Sequence, residues 1–292
     1  MFRRLALYFK EMFPLTSFVG SIVSCLGVEL IYLRLHGIPA RLSFALLIPA
    51  LAVTLVTLLI RVMDEFKDYQ DDLVNYPNRP LPSGRVERSD LRSLGIFCVV
   101  AVVGLSATSW PVFVWGLLTL GYTGLMLKWF FFEDKIRKSL PLAFVSHHPI
   151  VIFNFTYLII ACTQMYPQQV GWEMWYYIIP ICLIYTNWEV MRKIRTPAQE
   201  TQYTTYSMIF GPRPAIGVAL ILQVIFTFTL MAIFRKLGTP LWLQGIYLVL
   251  QLALMLAPVK FLFTLKLSGP LKAVAENQIL LVVISLTVAA FL

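Results

Sequence analysis

The sequence predicts an all-α, polytopic membrane protein, a single domain built as a bundle of nine transmembrane helices. Three observations predict it. Hydrophobic residues make up 59% of the 292 and charged residues 13%, against roughly 45–50% and a quarter in soluble domains, and the mean hydropathy is +0.76. Nine apolar runs are long enough, or nearly so, to cross a bilayer. The basic residues between those runs alternate from rich to poor. Together these exclude a soluble enzyme, a disordered chain and a nucleic-acid-binding domain.

About 20 apolar residues cover roughly 30 Å of hydrocarbon as a helix. The runs that meet or approach this are 14–34, 42–62, 91–109, 111–132, 141–162, 174–188, 214–234, 241–259 and 277–292. The sixth and ninth are short and are read as tilted, extended by neighbours, or partly interfacial. Ahead of the first, the stretch 2–13 is amphipathic and suits an interfacial helix. It lacks the small-residue cleavage site of a signal peptide.

Twenty of the 24 Lys and Arg fall on one side of this arrangement, at the N-terminus and in the loops after spans two, four, six and eight; the opposite side has Arg34, Arg41, Arg235 and Lys236. Positive charge marks the cytoplasmic face. The N-terminus is therefore expected in the cytoplasm, the C-terminus outside, and the protein in the cell inner membrane. The net charge of +9 then has a topological origin. Cys25, Cys98, Cys162 and Cys182 lie inside apolar runs without paired spacing or a nearby His, and read as small apolar residues.

Two cytoplasmic stretches, 61–90 and 189–213, are long and polar, and long loops in compact proteins are usually functional. They follow spans two and six, a spacing of four helices that suggests an ancient duplication without a clear sequence repeat. The first carries Asp64, Glu65, Asp68, Asp71 and Asp72. On one helix 64, 68 and 72 share a face, and 65 and 71 flank it. Like charges at that spacing demand cations. Oxygen ligands without His or Cys suit Mg²⁺, which is typically held by one or two carboxylates plus substrate phosphates. The alternative is a solvated acidic helix end. Downstream, Asn75-Tyr-Pro-Asn-Arg-Pro-Leu-Pro-Ser-Gly-Arg-Val86 is expected as a rigid turn holding Arg79 and Arg85 near the carboxylates, where a guanidinium suits a phosphate oxygen. Acids followed by such a loop describe a diphosphate site.

The pattern Asp64-Glu65-x-x-Asp68-x-x-x-Asp72, followed by Asn78-Arg79-Pro80-Leu81-Pro82-Ser83-Gly84, resembles the first signature of the UbiA superfamily of intramembrane prenyltransferases, with Asp64 where that family has Asn and Glu65 where it has Asp. The nine-helix layout with signatures after helices two and six is similar over essentially the whole chain. The resemblance implies Mg²⁺-assisted transfer of a prenyl group from a prenyl diphosphate to a lipophilic or amphiphilic acceptor, with Asp64, Glu65, Asp68 and Asp72 as metal ligands. Tyr122 and Lys128, in Gly121-Tyr122-x₅-Lys128, resemble a family element in which a basic residue contacts diphosphate.

The second loop departs from the family pattern. Where acids are usual, Lys193, Thr196 and Glu200 stand, and Glu189 lies four residues before Lys193. Glu189 and Glu200 remain candidate oxygen ligands, while Lys193 and Arg192, with Arg195, offer positive charge in place of a metal as partner of a pyrophosphate oxygen. They also read as positive-inside anchors. The departure puts a second Mg²⁺ in question.

Within the membrane, Glu29 in span one is expected to face the bundle interior, either against the acceptor or as a hydrogen-bonded structural residue. His147 and His148, about two turns into span five, include a candidate proton acceptor, His147 being the one assigned. Asn154, Tyr185 and Asn187 are further polar candidates. Three readings follow: a transferase in which Asp68, Lys193 and His147 carry the chemistry, a terpene cyclase that captures the cation internally, and a carrier or lipid-binding protein on the same bundle.

Overall fold

In the computed structural model, residues 1–167, 174–200, 204–266 and 270–292 are described, with 174–177 as backbone alone. The regular elements among them are helices: α1 (Phe2–Met12), α2 (Leu15–Leu35), α3 (Phe44–Lys67), α4 (Tyr69–Asn75), α5 (Arg88–Ser106), α6 (Trp110–Leu127), α7 (Glu133–Ile136), α8 (Leu140–His147), α9 (Ile150–Met165), α10 (Met174–Met191), α11 (Tyr206–Phe210), α12 (Pro212–Lys236), α13 (Leu241–Thr264) and α14 (Leu271–Phe291). Eight helical segments among the described residues are long and apolar enough to cross a membrane: α2, α3, α5, α6, α8 with α9, α12, α13 and α14. In the place of the sixth expected span, the described part of α10 supplies the shorter apolar stretch Ile178–Met191. The chain is thus an integral, multi-pass membrane protein. It divides into two compact units, one of Met1–Leu26 with Ser43–Pro167 and one of Gly27–Leu42 with Gln168–Leu292.

In the first unit α3 is the central helix, packing on α5, α6 and α9. Its buried stripe, including Leu55, Leu58, Leu59 and Val62, meets Leu91, Leu94, Cys98 and Val102 of α5. The amphipathic α1 closes this core with Tyr8 and Phe13. Three ion pairs pin α1: Arg4 with Asp90, Arg4 with Glu87, and Arg85 with Glu11. Asp90 also completes a capping box with Glu87 at the start of α5, satisfying backbone donors that a helix N-terminus leaves open. Between α5 and α6 the approach is close: a Cβ on Gly116 would collide with Ser106, whose hydroxyl is 3.0 Å from that of Tyr157 on α9.

In the second unit α10, α12, α13 and α14 pack on one another. Their interior is partly polar. Asn187 donates to Gln278 at 2.9 Å and accepts from Gln223 at 3.4 Å, all three fully buried. Outward, Val218, Ile221 and Phe228 of α12 and Val249, Leu256 and Phe263 of α13 are exposed, an apolar surface suited to lipid.

Several boundaries differ from the sequence expectation. The fourth span stops at Leu127 rather than 132, because the chain turns left-handed immediately afterwards. The ninth begins earlier, at Leu271, behind Pro270. Most consequentially, α3 ends at Lys67, and Asp68 (φ −98°, ψ 9°) is a joint between α3 and α4. Asp64 and Asp72 therefore do not lie on one continuous helix face.

Candidate active site

The carboxylates of the first loop gather at the end of α3, each in a different electrostatic state. Glu65 is buried and takes a hydrogen bond from Arg61, one turn earlier, while its second oxygen is buried without a partner. Asp64 lies 3.3 Å from the ammonium of Lys67. Asp71 pairs with Arg137 at 2.8 Å. Asp72, on α4 and nearly buried, accepts from Arg79 at 2.7 Å on both oxygens. Among the described residues Asp68 has no cation within ion-pair distance; burial first, then the negative charge of Asp64, pushes its carboxyl up to about 6. A raised carboxylate is the expected result of removing water and adding like charge.

The proline-rich segment forms the expected irregular turn. Val86 donates to the Pro80 carbonyl at 3.0 Å and Ser83 to that of Arg79 at 3.0 Å, Gly84 takes φ +74°, and Leu81 and Val86 anchor the turn in the core. Arg79 stacks on Tyr76 at 3.9 Å and keeps its place beside the acids. Arg85 does not: its guanidinium grips both oxygens of Glu11 at 2.6 and 2.9 Å, which holds the Glu11 carboxyl below its ordinary range. Arg85 therefore fastens α1. Tyr8, invisible to the sequence reading, is fully buried, and burial followed by the charge of Glu65 raises its phenol.

Beyond α6 the backbone does something for which composition gives no sign. Trp129, Phe130 and Phe131 adopt φ of +50°, +51° and +62°, a left-handed run costing L-residues about 1–2 kcal/mol each. Such strain persists where packing over-determines it. Here the Trp129 ring packs on His147 at 5.3 Å and lies over the Lys67 ammonium at 4.4 Å, and Phe130 packs on Tyr122 at 5.4 Å and on His147 at 5.6 Å. Tyr122 donates to the Ser146 carbonyl at 2.6 Å, and His147 Nδ1 is 3.0 Å from the Ala143 carbonyl. His147 ends α8, and a break at His148 and Pro149 precedes α9; the expected fifth span is two helices. Lys128 caps α6 with its side chain exposed. A cavity of about 10 Å³, lined by Asp64, Lys67, Thr123 and Met126 among others, lies beside this group, room for about one water.

In the second unit, Glu189 is held by Arg192 and, at 3.0 Å, by Lys193. Glu200 accepts from Thr205 at 2.9 Å and Ser207 at 2.6 Å, and the Ser207 hydroxyl also takes the backbone N–H of Arg195. Residues 201–203 of this loop lie outside the described residues. Glu29 is fully buried, and neither carboxylate oxygen is hydrogen-bonded among the described residues.

The donor set was tested for Mg²⁺. Among the described residues no three carboxylates or imidazoles converge as a ready ligand cage. Glu65 and Asp72 are turned onto Arg61 and Arg79, so the four-carboxylate set is not assembled. What remains is a neighbouring pair, Asp64 paired with Lys67 and Asp68 with no ion pair among the described residues, two carboxylates beside one ammonium. Two carboxylates short of positive charge fit a hard cation that keeps its waters and takes further oxygens from a phosphate.

No protein-family model and no curated protein matches the chain. Solved structures do. A UbiA homolog from Aeropyrum pernix K1 superposes with a TM-score of 0.67 at 12% identity, covering 92% of this chain and 97% of that one. A digeranylgeranylglyceryl phosphate synthase superposes with a TM-score of 0.64 at 16% identity, covering 99% of each. At such identities the likeness establishes the fold: the chain has the UbiA-type all-helical membrane fold.

Proposed function

We propose that this protein is a UbiA-type prenyltransferase, moving a prenyl group from a prenyl diphosphate to a lipophilic or amphiphilic acceptor within the membrane, with Mg²⁺ as cofactor. The observation that carries the reading is the Asp64 and Asp68 pair at the end of α3, two carboxylates beside one ammonium, Lys67, on a fold shared with a digeranylgeranylglyceryl phosphate synthase. When bound, Mg²⁺ neutralises charge on the departing diphosphate. Asp64 and Asp68 would hold it, and Arg79 and Lys128 would supply further positive charge to the phosphates. His147 takes the acceptor's proton, Tyr122 shapes the wall behind it, and Glu29 orients the acceptor. Lys193 and Arg192, with Glu189 between them, form the second loop's cationic partner, and Glu200 braces that loop. The apolar bundle excludes water that would quench an allylic cation. Both polar loops and the N-terminus face the cytoplasm of the inner membrane.

A cyclase reading draws on the second loop, whose two acids are already engaged, Glu189 by cations and Glu200 by hydroxyls. One experiment separates the readings. Purified protein is incubated with Mg²⁺ and labelled prenyl diphosphates, with and without a membrane lipid extract. Product that requires the extract is expected. Product without it indicates a cyclase, and binding with no product under either condition sinks the enzymatic reading.

A further inference from the structure

Lys67 stands among acids and looks like their neutraliser. Its surroundings say more. The side chain is 9% exposed, an ammonium largely withdrawn from water at the last residue of α3. One face meets Asp64 at 3.3 Å and another the Trp129 ring at 4.4 Å. An ammonium carries three donors and accepts nothing, and an aromatic face satisfies a cation without consuming it as a carboxylate does.

The other cations of the cluster sit closer to their carboxylates. Arg61 is bonded to Glu65, Arg137 to Asp71, and Arg79 to both oxygens of Asp72. The Lys67 contact is longer than the Arg79 and Arg137 pairs, and its partner, Asp64, is one of the two acids that fit a divalent cation. A cation arriving at Asp64 would displace the ammonium from its ion-paired carboxylate, yet Trp129, fixed by the left-handed turn and its packing on His147, would keep it in place. A buried ammonium in that position needs a new anion.

We propose that Lys67 is a diphosphate-contacting residue, held in reserve by Asp64 and steered by Trp129. When a divalent cation takes Asp64, the ammonium passes to a phosphate oxygen. Metal and anion therefore bind as a linked pair, each offering the other's displaced partner a substitute. This rests on the reading of the protein as acting on prenyl diphosphates, and it adds a residue and a binding order to that reading.

The test uses purified full-length protein in detergent, titrated by calorimetry with Mg²⁺ alone and with pyrophosphate in the presence of Mg²⁺, with thermal unfolding in parallel. In Lys67→Met, pyrophosphate affinity falls at least tenfold, while Mg²⁺ alone binds more tightly than to wild type because its competitor is gone. Opposite signs for the two ligands are what a purely structural lysine would not produce. Trp129→Leu, which leaves the charge and loosens its seat, weakens pyrophosphate two- to fivefold, so the proposal stays open to refutation if Lys67→Met does not fold. Unchanged pyrophosphate affinity in a folded Lys67→Met, or in Trp129→Leu where Lys67→Met does not fold, overturns the role of Lys67 and leaves the functional reading intact. Wild type that binds no pyrophosphate at any Mg²⁺ concentration overturns both.

Discussion

Arg79 places one guanidinium nitrogen 2.7 Å from each oxygen of Asp72, binding the last acid of the cluster to the first basic residue of the proline-rich turn. The pair joins α4 to the loop that follows. Asp72 is nearly buried and Arg79 about one-third exposed. Removing the guanidinium leaves a withdrawn carboxylate uncompensated, which costs several kcal/mol in a fully buried pair and about 1–3 kcal/mol here. Arg79→Gln is expected to lower the unfolding midpoint and Asp72→Asn to lower it less, with the double variant no worse than Arg79→Gln alone. Additive losses in that cycle would contradict a coupled pair.

The raised carboxyl of Asp68 gives a pH signature. Its native value of about 6 lies above the unfolded value near 3.8, so its contribution to stability is complete below about pH 4 and is lost as pH rises through 6. A divalent cation bound at Asp68 favours the ionised form and restores what was lost. The midpoint increase caused by Mg²⁺ should therefore be larger at pH 7.5 than at pH 5. Equal increases would mean that the metal does not sense this carboxylate.

Asp68→Ala removes the member of the pair that has no cation of its own. Turnover should fall by at least two orders of magnitude while the unfolding midpoint stays level or rises, since an uncompensated charge is deleted. A normal rate at limiting Mg²⁺ would return the cluster to a solvated acidic helix end.

Lys193 tests whether the second loop replaces a metal with a fixed charge. It lies 3.0 Å from Glu189, which Arg192 also holds, so Lys193→Ala leaves that carboxylate paired and the helix end intact. Lys193→Ala should lower the rate at every Mg²⁺ concentration, whereas Lys193→Asp should steepen the dependence of rate on Mg²⁺. Wild-type behaviour from both variants would make Lys193 a topology anchor.

Close packing at Gly116 predicts a sharp stability effect. Gly116→Val drives a branched side chain into Ser106 and breaks its contact with Tyr157. Overpacking of this kind costs about 1–3 kcal/mol. Thermal unfolding in detergent should show it, and Gly121→Ala on the same helix, with open space at its Cβ, should not.

The spans were legible because bilayer thickness imposes a length and a hydropathy on them that packing details do not erase. The turn at 76–87 was legible because proline and glycine restrict backbone angles locally. The joint at Asp68 was not, since no breaker residue marks it and the acids before and after it read equally well as one helix. Arg85 was assigned to the acids beside it, but its partner Glu11 is 74 residues away, and pairings at that range leave no trace in local pattern. The turn at Trp129 was equally hidden: aromatic residues have no preference for left-handed backbone, and the ring contacts with Lys67, Tyr122 and His147 hold it together with backbone bonds from Phe131 to Lys128 and from Phe132 to Trp129.

The amide contacts of the second unit bear on how the chain is made. Asn187 donates to Gln278, 91 residues later, and accepts from Gln223, 36 residues later. Synthesis delivers these helices one at a time, so the Asn187 carbonyl meets Gln223 once α12 is in place, while its amide N–H waits for Gln278 until α14 emerges. Interhelical bonds of this type contribute about 0.6–2 kcal/mol each, enough to favour the finished assembly without trapping a partial one. A ribosome stalled before α14 would present that amide as a mark of incompleteness, legible to the membrane's own surveillance machinery.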